Sequence, residues 1–188
     1  MKKIAITGSL ASGKTTASKI LSARRGPLFN ADRVVKNIYS SKRLKHLISK
    51  KFKIKNTRNL KNELRNKIFQ NKKNINKLEK IIHPIVRKKM KEFIIKNKKK
   101  RFIFFEIPLL IESKLMKNFD LIVFIKSNKD VRLKRFKRKG GSKKLFHILN
   151  NRQLSDIKKI KHCDHVVVNE KNKKFLKKKL LDILKYHV

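Results

Sequence analysis

Residues 8 to 15 read Gly8-Ser9-Leu10-Ala11-Ser12-Gly13-Lys14-Thr15: a glycine, four residues, then Gly-Lys-Thr. The apolar run Lys3-Ile4-Ala5-Ile6-Thr7 precedes them, and Ala17, Ile20 and Leu21 follow at helical spacing. The eight residues therefore sit at a strand-to-helix turn. In that context the spacing has a physical meaning, since a row of backbone N–H groups at a helix N-terminus curls around phosphate oxygens. The reading is an ATP phosphate cradle built from Ser9, Leu10, Ala11, Ser12, Gly13, Lys14, Thr15 and Thr16. Lys14 is expected to place its charge near the β- and γ-phosphates, and the Thr15 hydroxyl is suited to ligate Mg²⁺. Two of the chain's five glycines stand here, which argues against a chance glycine turn.

Four further segments follow the strand pattern. Leu28-Phe29 is a short one after the Gly26-Pro27 break; Phe102-Ile103-Phe104-Phe105, Leu121-Ile122-Val123-Phe124-Ile125 and Val166-Val167-Val168 are apolar on both faces. Helical patterns separate them, and Leu176, Leu180, Leu181 and Leu184 suggest a closing amphipathic helix. Strands alternating with helices predict an α/β fold in three layers, with a five-stranded parallel sheet covered on both faces. One domain is expected over residues 1–188, with an all-α insert over about 35–98 and a lid over about 136–160 around Gly140-Gly141. In the insert, Ile68, Phe69, Ile75, Leu78, Ile81 and Ile82 are expected core positions, and His83-Pro84 is expected to break or kink the helical run.

Composition limits the alternatives. The chain holds 55 Lys and Arg against 12 acids, a formal charge of +43, and a single cysteine, Cys163. Such a field attracts polyanions, but screening confines it to about 8 Å at physiological salt. Lysine runs such as Lys98-Lys99-Lys100 and Lys177-Lys178-Lys179 read as solvated faces. A basic nucleic-acid-binding protein is the rival class; no helix-turn-helix cue, aromatic platform or zinc-finger spacing supports it. Met1-Lys2-Lys3 leads into too short an apolar run for a signal peptide, and no apolar stretch reaches the roughly 20 residues of a membrane span. The expectation is a cytoplasmic monomer with no specific nucleic-acid or membrane partner.

Acids are scarce enough to reason by elimination. Open α/β sheets place their sites at the carboxyl ends of strands, and Asp32 and Glu106 fall just past predicted strands on the phosphate-loop side. One is suited to act as base for an acceptor hydroxyl, the other as an outer-shell Mg²⁺ partner. The plainer readings are a helix cap for Asp32 and a buried pair with a lysine or arginine for Glu106. Asn128-Lys129-Asp130 imitates a guanine-recognition motif, but Val131 stands where that motif needs its acid.

Taken together, the chain resembles the dephospho-coenzyme A kinase family along nearly its whole length. The phosphate loop is joined by Asn30-Ala31-Asp32 after strand two and by Leu64-Arg65-Asn66-Lys67-Ile68-Phe69 ahead of His83-Pro84. Further on stand Glu106-Ile107-Pro108-Leu109-Leu110-Ile111-Glu112, Gln153, and Cys163-Asp164-His165-Val166-Val167-Val168-Asn169. The resemblance implies ATP-dependent phosphorylation of the ribose 3′-hydroxyl of dephospho-coenzyme A, the last step of coenzyme A synthesis. It implies Asp32 and Lys14 as catalytic residues, and Arg65, His83 and Glu106 on the substrate side. It adds Asn169 and a lid arginine at the nucleotide; of Arg132, Arg135 and Arg138, Arg138 matches best. Ser9 and Ala11 replace loop glycines, Asn30 replaces an acid, and Lys61 stands where the family has arginine. Another small-metabolite or nucleotide kinase on the same core is the alternative.

Overall fold

The computed structural model describes residues 1–55, 59–71 and 73–187, and all of their side chains except those of Lys61 and Phe69. The expectations for Lys61 and for Phe69 as a core position lie outside that set. The chain divides into two compact units, residues 1–30 with 97–188, and residues 31–96.

In the first unit, β1 (Lys2–Gly8), β2 (Leu28–Asn30), β3 (Phe102–Glu106), β4 (Leu121–Lys126) and β5 (His165–Val168) form one parallel sheet in the order β2-β3-β1-β4-β5. Register pairs Ile4 with Phe104 on one side and Ile6 with Val123 on the other, so β1 lies at the centre. Its position explains its composition. A strand flanked by strands and covered on both faces has no polar side to offer, and Ile4, Ala5 and Ile6 are fully buried.

Helices α1 (Lys14–Ser22) and α9 (Lys173–His187) supply the apolar stripes that cover one face. Ala17 and Leu21 of α1, and Leu176, Leu180 and Leu184 of α9, pack with Ile4, Ile6, Phe104 and Val123. On α9 the buried stripe takes Ile183 rather than the expected Leu181, which is half-buried. Strand alternation turns Phe105 to the other face, where its ring meets Phe29 at 5.8 Å and Phe119 at 5.1 Å. Carboxylates fix the chain where it enters and leaves the strands. Asp120 accepts the Lys3 N–H at 2.7 Å, Asp164 the Ile122 N–H at 2.7 Å, and Glu170 the Asn128 N–H at 2.8 Å.

The second unit is helical: α2 (Ala31–Ile38), α3 (Lys42–Phe52), α4 (Leu60–Gln70) and α5 (Lys73–Lys96). Leu44, Ile48 and Phe52 of α3 and Leu60 and Leu64 of α4 are buried together, with Ile68, Leu78, Ile81 and Ile85 packed against them. Ser41 caps α3 by accepting the Leu44 N–H at 3.3 Å, a bond worth about 1 kcal/mol. Of the break or kink expected at His83-Pro84, the break does not occur, for α5 runs through Pro84. Proline deprives the Lys80 carbonyl of its helical donor, but both residues are exposed, so the missing bond is not one of the buried interior. The apolar contacts of Leu78, Ile81 and Ile85 hold the helix on either side. Three helices complete the first unit: α6 (Lys129–Arg138), α7 (Lys143–Asn151) and α8 (Asp156–Ile160). Among the described residues no helix is long and apolar enough to cross a membrane.

Cys163 donates its S–H to the Lys159 carbonyl at 3.2 Å. Burial, reinforced by Asp164 and opposed by Lys159, pushes its thiol up to about 12. The reactive form is the thiolate, so near pH 8 the native protein should react with a thiol reagent at least ~100-fold more slowly than the denatured chain. Equal rates in stopped-flow alkylation would show that Cys163 is not held in this environment.

Candidate nucleotide site

Gly8, at the carboxyl end of the central strand, has φ +148°, and a Cβ there would lie 2.4 Å from the Ile125 carbonyl oxygen of β4. Gly13 has φ +101°, and its Cβ would meet Asn169 Nδ2 at 2.1 Å. Gly8 is thus fixed by close approach of backbone and Gly13 by close approach of the Asn169 side chain, each as well as by conformation. Ala11 enters the left-handed region without glycine's freedom, at φ +58°. An ordinary residue there costs about 1–2 kcal/mol, so its neighbours must hold it in place.

Inside the turn, Lys14 is buried and its Nζ donates to the Ser9 carbonyl at 2.9 Å. The Thr15 hydroxyl donates to Glu106 Oε1 at 2.6 Å. The other carboxylate oxygen accepts the Ser18 hydroxyl at 3.0 Å and the Asn30 amide at 2.5 Å. Glu106 is 2% exposed, and these partners are neutral groups rather than the lysine or arginine that its plainer reading required. Among the described residues, amides expected to line the cradle are engaged within the protein at Leu10, Ser12 and Thr16. Leu10 N–H reaches Gln153 Oε1 at 3.1 Å, Ser12 N–H the Ser9 carbonyl at 3.1 Å, and Thr16 N–H the Gly13 carbonyl at 3.1 Å. The buried Ser12 hydroxyl oxygen has no hydrogen-bond partner. Such an orphan is uncommon in a folded interior and suits a site meant for a polar ligand.

The outer side of the turn belongs to α6 and its surroundings. Arg132, 6% exposed, donates to the Leu10 carbonyl at 3.2 Å, to Asn150 at 2.7 Å and to the Ser127 carbonyl at 3.1 Å, and lies 5.6 Å over the Phe146 ring. Burial pulls its pKa down and Asp156 opposes the change. The Ser12 carbonyl accepts from Arg135 at 3.2 Å and from Asn169 at 2.8 Å. Two of the three candidate arginines therefore hold loop carbonyls from behind. Arg138 is exposed and lines a cavity of about 410 Å³ with Ala11, Gly13, Thr16, Arg135 and Asn169.

Asp32, Arg65 and His83 belong to the helical unit. Asp32 is exposed in the first turn of α2, one residue past its start, rather than at the capping position, and a carboxylate there favours the helix dipole. Arg65 is exposed on α4 and His83 half-buried on α5. Sequence reasoning missed Ser18, Asn30 as a donor, Asp156 and Lys159, and it singled out Gln153 without its contact to the Leu10 amide. Asn30 was legible only as a missing acid, yet its amide binds the neighbouring strand's carboxylate.

Similarity to known proteins fits this arrangement. The dephospho-CoA kinase family model matches residues 2–174. Over 183 residues the chain is 36% identical to a dephospho-CoA kinase of Fusobacterium nucleatum, covering 94% of both chains. It is 31% identical over 190 residues to one from Bartonella henselae, covering 98% of this chain and 97% of the relative. The solved dephospho-CoA kinase of Campylobacter jejuni superposes with a TM-score of 0.69 at 25% identity, covering 98% of this chain and 96% of that one.

The clash at Gly8 gives a direct test of the turn. Gly8→Ala should lower stability by about 1–3 kcal/mol and weaken ADP binding in calorimetric titration. Native melting and native ADP affinity would refute the close-approach reading.

Proposed function

The chain belongs to the dephospho-CoA kinase family and is an ATP-using kinase that converts dephospho-CoA to CoA; on that premise we propose how its residues divide the work. The observation that carries the assignment is the hydrogen-bonded set Thr15–Glu106–Asn30 beside the phosphate turn, centred on the buried Glu106 carboxylate. Phosphoryl transfer requires alignment and charge neutralisation more than covalent chemistry. Loop amides and Lys14 hold the ATP phosphates, Arg138 approaches from the cavity beside Gly13, and Asn169 walls that cavity. Of the lid expected over about 136–160, the part ahead of Gln153 closes over the nucleotide and excludes water, while Gln153, Asp156 and Lys159 stay with the phosphate turn.

A hydroxyl and a carboxylate are hard oxygen donors of the kind Mg²⁺ accepts. Thr15 would hold the ion, with Glu106 orienting the hydroxyl from behind; when bound, Mg²⁺ neutralises charge developing on the phosphates. Glu106, read from sequence both as an outer-shell Mg²⁺ partner and as a substrate-side residue, suits the first role better because its two oxygens already accept from three protein groups.

Asp32 accepts the proton of the acceptor's ribose 3′-hydroxyl. Asn30 leaves no second carboxylate in that motif. Arg65 and His83 belong to the dephospho-CoA side, in the helical insert. The same reading takes the enzyme as a cytoplasmic monomer without a specific nucleic-acid partner, supported by basic residues spread along the chain rather than gathered into a reader module.

The test is an ATP-dependent assay that reads out coenzyme A. Lys14→Ala should nearly abolish turnover in a folded protein. Asp32→Asn should lower kcat by about 100-fold or more with ATP affinity nearly unchanged. Activity within a few-fold of the parent would remove Asp32 from the chemistry. Arg65→Ala and His83→Ala should raise the KM for dephospho-CoA more than that for ATP; the opposite pattern would reverse the site map.

A further inference from the structure

Lys159 is 0% exposed, in a chain whose other lysines mostly face water. A fully buried ammonium loses several kcal/mol of hydration unless its partners are well placed. Among the described residues its Nζ has two partners. Nζ lies 2.9 Å from Glu112 Oε1 and 3.4 Å from Gln153 Oε1. The first bond fixes the ammonium, since Glu112 Oε1 is itself held by the Leu154 N–H at 3.1 Å. The second has a consequence for the phosphate turn, because the same Gln153 oxygen accepts the Leu10 N–H.

A glutamine amide presents oxygen or nitrogen equally well by shape alone. Lys159 and the Leu10 amide are both donors, so together they select the oxygen. With the amide reversed, an NH₂ would face two donors. Lys159 thereby ensures that the loop meets an acceptor. Leu10 is then held at both ends of its residue, N–H by Gln153 and carbonyl by Arg132. Next in the chain is Ala11, in the left-handed conformation that a non-glycine residue resists. A third tie, from the Ser9 hydroxyl to Asp156, reaches the loop from the same helix α8 that carries Lys159.

We propose that Gln153, oriented by Lys159, is a positioning residue for the nucleotide: it keeps the phosphate turn wound around Ala11 before ATP arrives. The proposal rests on the phosphate-cradle reading of residues 9–16. Without Gln153 the Leu10 amide loses its acceptor and the turn relaxes, so part of the binding free energy of ATP goes into rewinding it.

Gln153→Leu keeps the bulk and removes the acceptor. The variant should raise the KM for ATP and the Kd for ADP about tenfold, within the range for a hydrogen-bond donor left unsatisfied. The KM for dephospho-CoA should stay within about twofold and the melting temperature near that of the parent. Lys159→Met should shift the same ATP parameters in the same direction, while Gln153→Glu, which keeps the oxygen, should recover most of the loss. Unchanged nucleotide parameters in Gln153→Leu overturn the proposal, as does a parallel rise in both KM values with a fall in melting temperature. Lys14→Ala separates the two levels. If that variant turns over normally, the cradle reading itself fails; if it is inactive while Gln153→Leu binds ADP normally, only the positioning role fails.

Discussion

One carboxylate holds the working end of this sheet together. Glu106 closes β3, and its two oxygens reach Thr15 and Ser18 on α1 and Asn30 at the end of β2. A buried charge survives only when its lone pairs are met, and hydrogen bonds to a charged acceptor are worth about 1.5–3 kcal/mol each. The bonds join a helix and two strands whose lateral order the parallel register sets. With the first turn of α1 tied to β3, the phosphate turn between β1 and α1 has a fixed far end. Gly8, packed against Ile125, fixes the near end. Residues 9–14 then span a gap whose width the sheet determines.

That dependence explains which features were legible in the sequence. The phosphate turn, the five strands and the covering stripes of α1 and α9 are local patterns, visible in a window of ten residues. Glu106 and Asp32 could be located because carboxylates are rare and strands point their ends at a site. What lies behind the turn could not be read. Arg132, Arg135 and Asn169 are more than 120 residues from the carbonyls they hold. Gln153 is 143 residues from the Leu10 amide. No periodicity records such pairings. Pro84 failed as a helix breaker for a different reason: local propensity gave way to apolar contacts on both sides of it.

The loop's departures from glycine also become intelligible. Ser9 and Ala11 sacrifice conformational freedom, and the surroundings supply restraint in exchange. Ser9 gains a side-chain partner in Asp156, and the residue before Ala11 is fixed at its amide and its carbonyl. A glycine loop reaches the same shape through permissiveness; here it is reached through external bonds from α6 and α8.

The carboxylates that accept main-chain amides have a consequence for how this protein tolerates change. Asp120, Asp164, Glu170 and Glu112 each accept a main-chain amide, at Lys3, Ile122, Asn128 and Leu154. With 12 acids in 188 residues, the chain holds few others to take over such a task. Mutational robustness is therefore lopsided. The surface absorbs further lysines with little penalty, whereas a lost carboxylate leaves one of these backbone donors without its acceptor. In a chain of formal charge +43, these four acids stand where the fold demands a hydrogen-bond acceptor.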